Sequence, residues 1–235
     1  MSDWHLGRLC GFDLETTGVD VEADRIVTAC VVQCGGGHPT VSATWLADPG
    51  IDIPAEAEKI HGITTVRARA EGKPATEVVT DVLAALGQVI AAGIPVVAMN
   101  ASFDLTVLDR EARRHGLPPL PGGFPVIDPY VLDRHVDRYR AGSRKLTALA
   151  AHYDVPIGEA HTADADAIAA CRVAWRIGTC YPSVAAYALP GLHEEQVRWA
   201  AEQAASYQEY RRRTDPSAVV RGEWPLIPHQ QNGAR

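Results

Sequence analysis

Three short apolar runs open the chain, at residues 8–14, 25–33 and 40–46. The first ends in a Thr-Thr-Gly turn, the second is rich in valine, and Gly35-Gly36-Gly37-His38-Pro39 separates the second from the third. Apolar runs of this length, bounded by glycine and proline, predict strands. Three in succession predict an antiparallel meander. Residues 49–62 predict loop with a short helix. The period then changes. Helix is expected over about 76–92, strand over 95–99, helix over 102–115, a short strand at 126–127, and helices near 129–139, 145–153 and 163–179. Strands followed by alternating helix and strand predict an α/β protein with a mixed sheet covered by helices. Pro182 and the Leu189-Pro190-Gly191 turn set off a last helix at about 193–213, before an irregular tail that is expected to be disordered at 230–235. Residues 1–181 are therefore expected to form one domain, and 182–235 a C-terminal helical extension and tail.

One stretch competes with this reading. Residues 82–99 are almost uncharged and long enough for a membrane span. Gly93 and Pro95 interrupt them, which favours a helix, a turn and a short buried strand, with no membrane partner. Hydrophobic residues make up 46% and charged residues 22% of the chain, enough for a core without disulfides. The five cysteines lack zinc-site spacing and read as reduced thiols. With no apolar signal core in residues 1–9, a cytoplasmic location is expected. The net charge of -7 argues against a protein that coats DNA by charge alone. It leaves room for an enzyme that acts on one nucleic-acid end, because a carboxylate-rich pocket lowers the formal charge and bound cations restore it.

Candidate chemistry lies in three places. In Phe12-Asp13-Leu14-Glu15-Thr16-Thr17-Gly18 the two carboxylates are at i and i+2 of a strand, so they project together. Such a pair repels unless a cation joins it, and oxygen ligands suit magnesium or manganese. Gly18 would let the chain turn sharply. In Asn100-Ala101-Ser102-Phe103-Asp104, Asn100 or Ser102 can cap the following helix and Asp104 falls in its first turn, where the dipole favours an anion. Helix capping alone would account for these residues. In His161-Thr162-Ala163-Asp164-Ala165-Asp166, Thr162 is a candidate N-cap, His161 a loop residue able to accept a proton, and Asp164 or Asp166 a functional carboxylate. Spacing does not choose between those two.

Together and in this order, the three segments resemble the motifs of the DEDDh 3′→5′ exonucleases, a family that includes the proofreading epsilon subunit of bacterial DNA polymerase III and ribonuclease T. The family's Phe-Asp-x-Glu-Thr-Thr-Gly matches residues 12–18, its Asn-x-x-Phe-Asp matches 100–104, and its His-x-Ala-x-x-Asp matches His161, Ala163 and Asp166. The resemblance thus selects Asp166 over Asp164. The family segment Ile-His-Gly-Ile-Thr appears as residues 60–64. The likeness spans about residues 9–178.

The resemblance implies a ribonuclease H-like fold with a five-stranded mixed sheet flanked by helices. It also implies a two-metal mechanism using Mg2+ or Mn2+. One ion would be held by Asp13, Glu15 and Asp166, and the other by Asp13 and, largely through water, Asp104, with His161 as general base. By the same analogy Thr16, Thr17, His61 and Gly62 line the pocket for the terminal nucleotide, with Asn100 and Phe103 from the second motif also counted as substrate-binding. The expected substrate is nucleic acid with a free 3′ end, DNA before RNA, and a DNA polymerase is a candidate partner. RNA trimming is the alternative on the same chemistry, and a non-catalytic binding module the alternative from another class. Two basic stretches bear on substrate. Residues 134–145 carry Arg134, Arg138, Arg140, Arg144 and Lys145 beside Tyr139, and can guide a single strand or merely end a helix. Arg211-Arg212-Arg213 is diluted by acidic neighbours and reads as part of an accessory helix.

Overall fold

The computed structural model describes residues 3–158 and 162–229. After a 3-10 turn at Trp4–Leu6 come β1 (Arg8–Thr16), β2 (Ile26–Gly35) and β3 (Val41–Asp48), then α1 (Ala55–His61), α2 (Thr65–Glu71), β4 (Lys73–Pro74) and α3 (Ala75–Ala91). The second half alternates β5 (Val96–Val97), α4 (Ala101–Arg114), β6 (Val126–Ile127), α5 (Pro129–Val136), α6 (Leu146–His152), α7 (Ala163–Cys180), α8 (Pro182–Ala185) and α9 (Leu189–Arg212).

The sheet order is β4-β3-β2-β1-β5-β6. The β1–β2 and β2–β3 pairs are antiparallel, as the meander requires, and β1–β5, β5–β6 and β3–β4 are parallel. The sheet is mixed and helix-covered, with six strands where five were expected. The extra one is the two-residue β4, which reaches β3 as the chain passes from α2 into α3. Two residues containing a proline carry no periodic signal. Helix α2 also escaped the sequence pattern, since its only buried residue is Ala68. It is capped by Thr64, whose side chain accepts from Arg67 N at 3.1 Å.

Apolar side chains Phe12, Ile26, Leu86, Leu108, Ile127 and Leu132 are fully buried between sheet and helices. Residues 82–99 resolve as the end of α3, a turn at Gly93 with φ +71°, and β5. No helix of the described residues is long and apolar enough to cross a membrane.

The C-terminal segment departs from expectation. Leu189-Pro190-Gly191 opens α9 rather than ending a loop, because proline is tolerated in a first helical turn. The tail then packs. Trp224 is buried and donates to Asp128 Oδ2 at 3.0 Å, and Ile227 N donates to Thr106 Oγ1 at 3.0 Å. The stretch expected to be disordered, 230–235, lies outside the described residues.

Candidate active site

Strand β1 projects Asp13 and Glu15 to one side of the sheet, and α7 crosses that side. Ligand oxygens of Asp13, Glu15 and Asp166 lie within 4.8 Å of one another. A glycine sets this closeness. A Cβ on Gly11 would stand 2.5 Å from Ala167 O and 2.7 Å from Val32 Cγ1, so only glycine lets α7 settle onto β1 at this level. Asp166 sits one residue before that contact and Asp13 two residues after it. Gly11 was not among the residues singled out from the motifs. A glycine inside an apolar strand is itself a signal of close backbone approach.

Asp104 reaches the same place from α4. It is 4% exposed and its Oδ1 accepts from Leu14 N at 3.1 Å, the amide between Asp13 and Glu15. The helix start is held from outside. Asn100 has φ 62° and ψ 50° and forms no side-chain cap, and neither it nor Ser102 caps α4 as expected. Asp128 does so instead, its carboxylate accepting from Asn100 N at 3.0 Å and Ala101 N at 2.9 Å.

The electrostatics are those of crowded, buried acids. Burial, then Asp104, Glu15 and Asp166, raises Asp13 well above the usual carboxylate range. Burial and Asp166 raise Glu15 from 4.5 to about 7. Burial also raises Asp104, against the Leu14 amide that favours its ionised form. Acids held this way are costly when ionised, and a divalent cation removes the cost. The donor set is all oxygen and suits a hard divalent ion.

The remaining expected residues divide. His61 and Glu15 line one cleft of about 480 Å3 between the site and the face of β2 and β3, with Trp45, Arg67 and Asp164 also on its wall. His61 Nδ1 accepts from Ile63 N at 3.1 Å, and burial lowers its pKa, so it is held neutral. Gly62 is the left-handed C-cap of α1 at φ 73°, a structural duty that glycine meets without strain. Thr16 Oγ1 donates to Gly18 O at 2.6 Å. Thr17 is 1% exposed, donating to Asp24 Oδ1 at 2.7 Å and accepting from Arg25 N at 3.0 Å. Its side chain thus fastens the β1–β2 loop instead of facing a pocket. Gly18 has no positive φ. It lies in the bend that follows β1, as expected, and a Cβ there would lie 2.5 Å from Asp24 Oδ2, so its place is also one of close approach. Phe103 is half-buried against the core, and Asn100 lines a different groove. His161 lies outside the described residues. Its neighbour Thr162 occupies the N-cap position of α7, and Thr162 O accepts from Asp166 N at 3.0 Å.

The RNase T family model, described as exonuclease, matches residues 10–174. The PolC-type DNA polymerase III of Lacticaseibacillus paracasei is 32% identical over 156 residues, 66% of this chain and 10% of that protein. The same polymerase of Streptococcus thermophilus is 27% identical over 164 residues, 69% of this chain and again 10% of the protein. The chain thus spans about a tenth of the curated relatives it matches. Among solved structures, E. coli exonuclease I in complex with a dT13 oligonucleotide superposes with TM-score 0.63 at 18% identity, over 76% of this chain and 42% of that one. Exonuclease X in complex with 5′ overhanging duplex DNA gives TM-score 0.57 at 23% identity, over 80% and 98%.

Proposed function

Because the chain belongs to the RNase T exonuclease family, we propose that it hydrolyses the terminal phosphodiester bond of nucleic acid from a free 3′ end, releasing 5′-mononucleotides, with DNA preferred. The observation that carries this reading is the meeting of Asp13, Glu15 and Asp166 within 4.8 Å, with Asp104 bonded to the strand between the first two. Asp13, Glu15, Asp104 and Asp166 would hold Mg2+ or Mn2+, two ions in the arrangement that the family implies. Such ions supply charge stabilisation to an attacked phosphoryl group and its leaving oxygen.

The chain's own residues do the rest. Asp128 fixes the start of α4 and thereby the depth of Asp104. Gly11 sets the level of α7, which carries Asp166. His61 is held neutral at the wall of the adjoining cleft, where an uncharged ring can pack on the terminal nucleotide without repelling the bound ions. His161 stands one residue before the N-cap of α7 in the chain and is assigned as acceptor of the proton from the attacking water. Residues 1–181 are assigned the catalysis and 182–235 an accessory role. The likeness to PolC-type polymerases supports a proofreading setting beside a DNA polymerase. The oligonucleotide in the exonuclease I complex supports single strands as substrate.

The test is digestion of one sequence as single-stranded DNA, mismatched-end duplex and RNA, with magnesium or manganese. DNA should shorten from the 3′ end to 5′-monophosphates, and a blocked 3′ end should stop it. His161→Gln should lower turnover by roughly 10²–10⁴ while metal affinity stays close to wild type. Activity that survives exhaustive chelation, or 3′-phosphate products, would overturn the reading.

A further inference from the structure

The basic stretch after α5 separates into two sets of side chains. Arg140 and Arg144 turn inward on Asp133, which has no exposed side-chain surface, against 13% and 12% for the arginines. Arg140 Nη2 bonds Asp133 Oδ2 at 2.9 Å, Arg144 Nη1 bonds the same oxygen, and Tyr153 Oη donates to Asp133 Oδ1 at 2.9 Å. Arg144 Nη2 further donates to Asp137 O at 2.6 Å and Arg140 O at 3.2 Å. These two arginines shape the loop.

Arg134, Arg138 and Lys145 differ. Among the described residues none of them has a carboxylate partner within ion-pair distance. Arg134 Nη1 donates to the Tyr130 hydroxyl at 3.0 Å, and its guanidinium lies 5.3 Å from that ring's centroid. Arg138 lies 5.6 Å from the centroid of Tyr139, which is 88% exposed. All three cations line a groove of about 700 Å3 whose wall holds no acidic residue, on a chain of net charge -7. Its lining includes Asn100, four residues before Asp104 on the same helix start. Its lining also includes Tyr207 of α9, 42% exposed and stacked near Tyr210 at 6.3 Å. Tyr207 lies beyond residues 10–174, so the extension completes a groove that the catalytic region only begins.

We propose that this groove is a binding track for the single strand behind the 3′ end, with Arg134, Arg138 and Lys145 on phosphates and Tyr130 and Tyr207 as stacking faces for bases. Unpaired cations interleaved with exposed aromatic rings bind single strands without regard to sequence. The cation–ring pairs at Tyr130 and Tyr139 hold the guanidinium groups near ring faces, where a phosphate and its base can be met together. Asn100 on its wall is the residue before α4, the helix whose first turn carries Asp104, so the track runs to the helix start that supplies one of the acids. The proposal rests on the exonuclease reading above for the identity of the strand's end.

The test separates binding from cleavage. Binding of a fluorescent oligo(dT) strand to the full chain is followed by anisotropy in chelator over a salt series, and cleavage of a dinucleotide with magnesium is measured apart. In Arg138→Ala/Lys145→Ala the slope of log affinity against log salt should fall by roughly 0.7 for each phosphate that is no longer neutralised. Tyr207→Ala should weaken binding about fivefold or more. In both variants the preference for the long strand over the dinucleotide should shrink. An unchanged salt slope with unchanged long-strand preference overturns the track, as does equally tight binding of poly-glutamate, which would make the groove a site for acidic protein. Salt-dependent strand binding that the variants lose, in a protein that cleaves no dinucleotide, overturns the exonuclease reading and keeps the track.

Discussion

Glu15 and its neighbours are carboxylates that the fold holds against their own ionisation. Burial and Asp166 lift Glu15 from 4.5 to about 7, while an unfolded chain would release that proton near 4.5. Between those values the folded, metal-free protein keeps a proton that the unfolded one has lost. Stability from this group therefore falls as pH rises through the window and is lowest above about 7. Histidines whose values are lowered act oppositely. Desolvation lowers His61, His135 and His193, so their contribution to stability grows as pH rises towards the ordinary histidine value and is complete above it. A difference between proteins isolates the carboxylate. In chelator, the melting temperature of Glu15→Gln relative to wild type should rise from pH 5 to pH 8. Magnesium at pH 8 should close that gap by stabilising only the wild type. A gap independent of pH would mean that Glu15 bears no ionisation cost.

At the scale of elements, the contact of α7 with β1 is the joint on which the acids meet. Gly11→Ala adds one methyl group where 2.5 Å separates it from the backbone oxygen of Ala167. Helix backbone cannot retreat as a flexible side chain does. The expected cost is about 1–3 kcal/mol of stability, the usual scale for an overpacked core. The accompanying shift moves Asp166 away from Asp13. Manganese affinity, measured by calorimetry on the folded variant, should therefore drop along with the melting temperature. A variant that loses stability but keeps full metal affinity would place the joint elsewhere.

At the scale of the whole molecule, α9 and the tail seal an open sheet edge. Strand β6 has no further strand beside it among the described residues, and edge groups left bare are a liability. Gln196, fully buried, answers them with one side chain. Its Oε1 accepts from Asp128 N at 2.8 Å and its Nε2 donates to Val126 O at 2.9 Å. His193 Nδ1 accepts from Val126 N at 3.2 Å. The same Asp128 receives the indole of Trp224 and the amides that start α4. The extension is thereby bonded to the residue that positions Asp104. Gln196→Ala strands two buried backbone groups, each worth about 1–3 kcal/mol when unsatisfied. Chemical denaturation should show a loss of roughly 2 kcal/mol or more. A loss within experimental error would mean that another group or water replaces the amide.

The alternation of apolar runs determined the meander and the succession of helices, because burial on one face forces a period of two or 3.6. Motif order determined which acids belong together, since Asp13 and Glu15 share a strand face and Asp166 stands near the start of a helix. Local pattern failed where the partner is distant. The capping of α4 by Asp128 joins residues 27 apart, and no window around Asn100 contains it. The duty of Gly11 depends on Ala167, and the packing of the tail depends on Thr106 and Asp128. Likewise the sequence offered five cations in residues 134–145 as equivalent. Only the burial of Asp133 divided them, because a buried carboxylate must be neutralised and takes the two arginines within reach, leaving the other three cations of the groove wall without a carboxylate partner among the described residues.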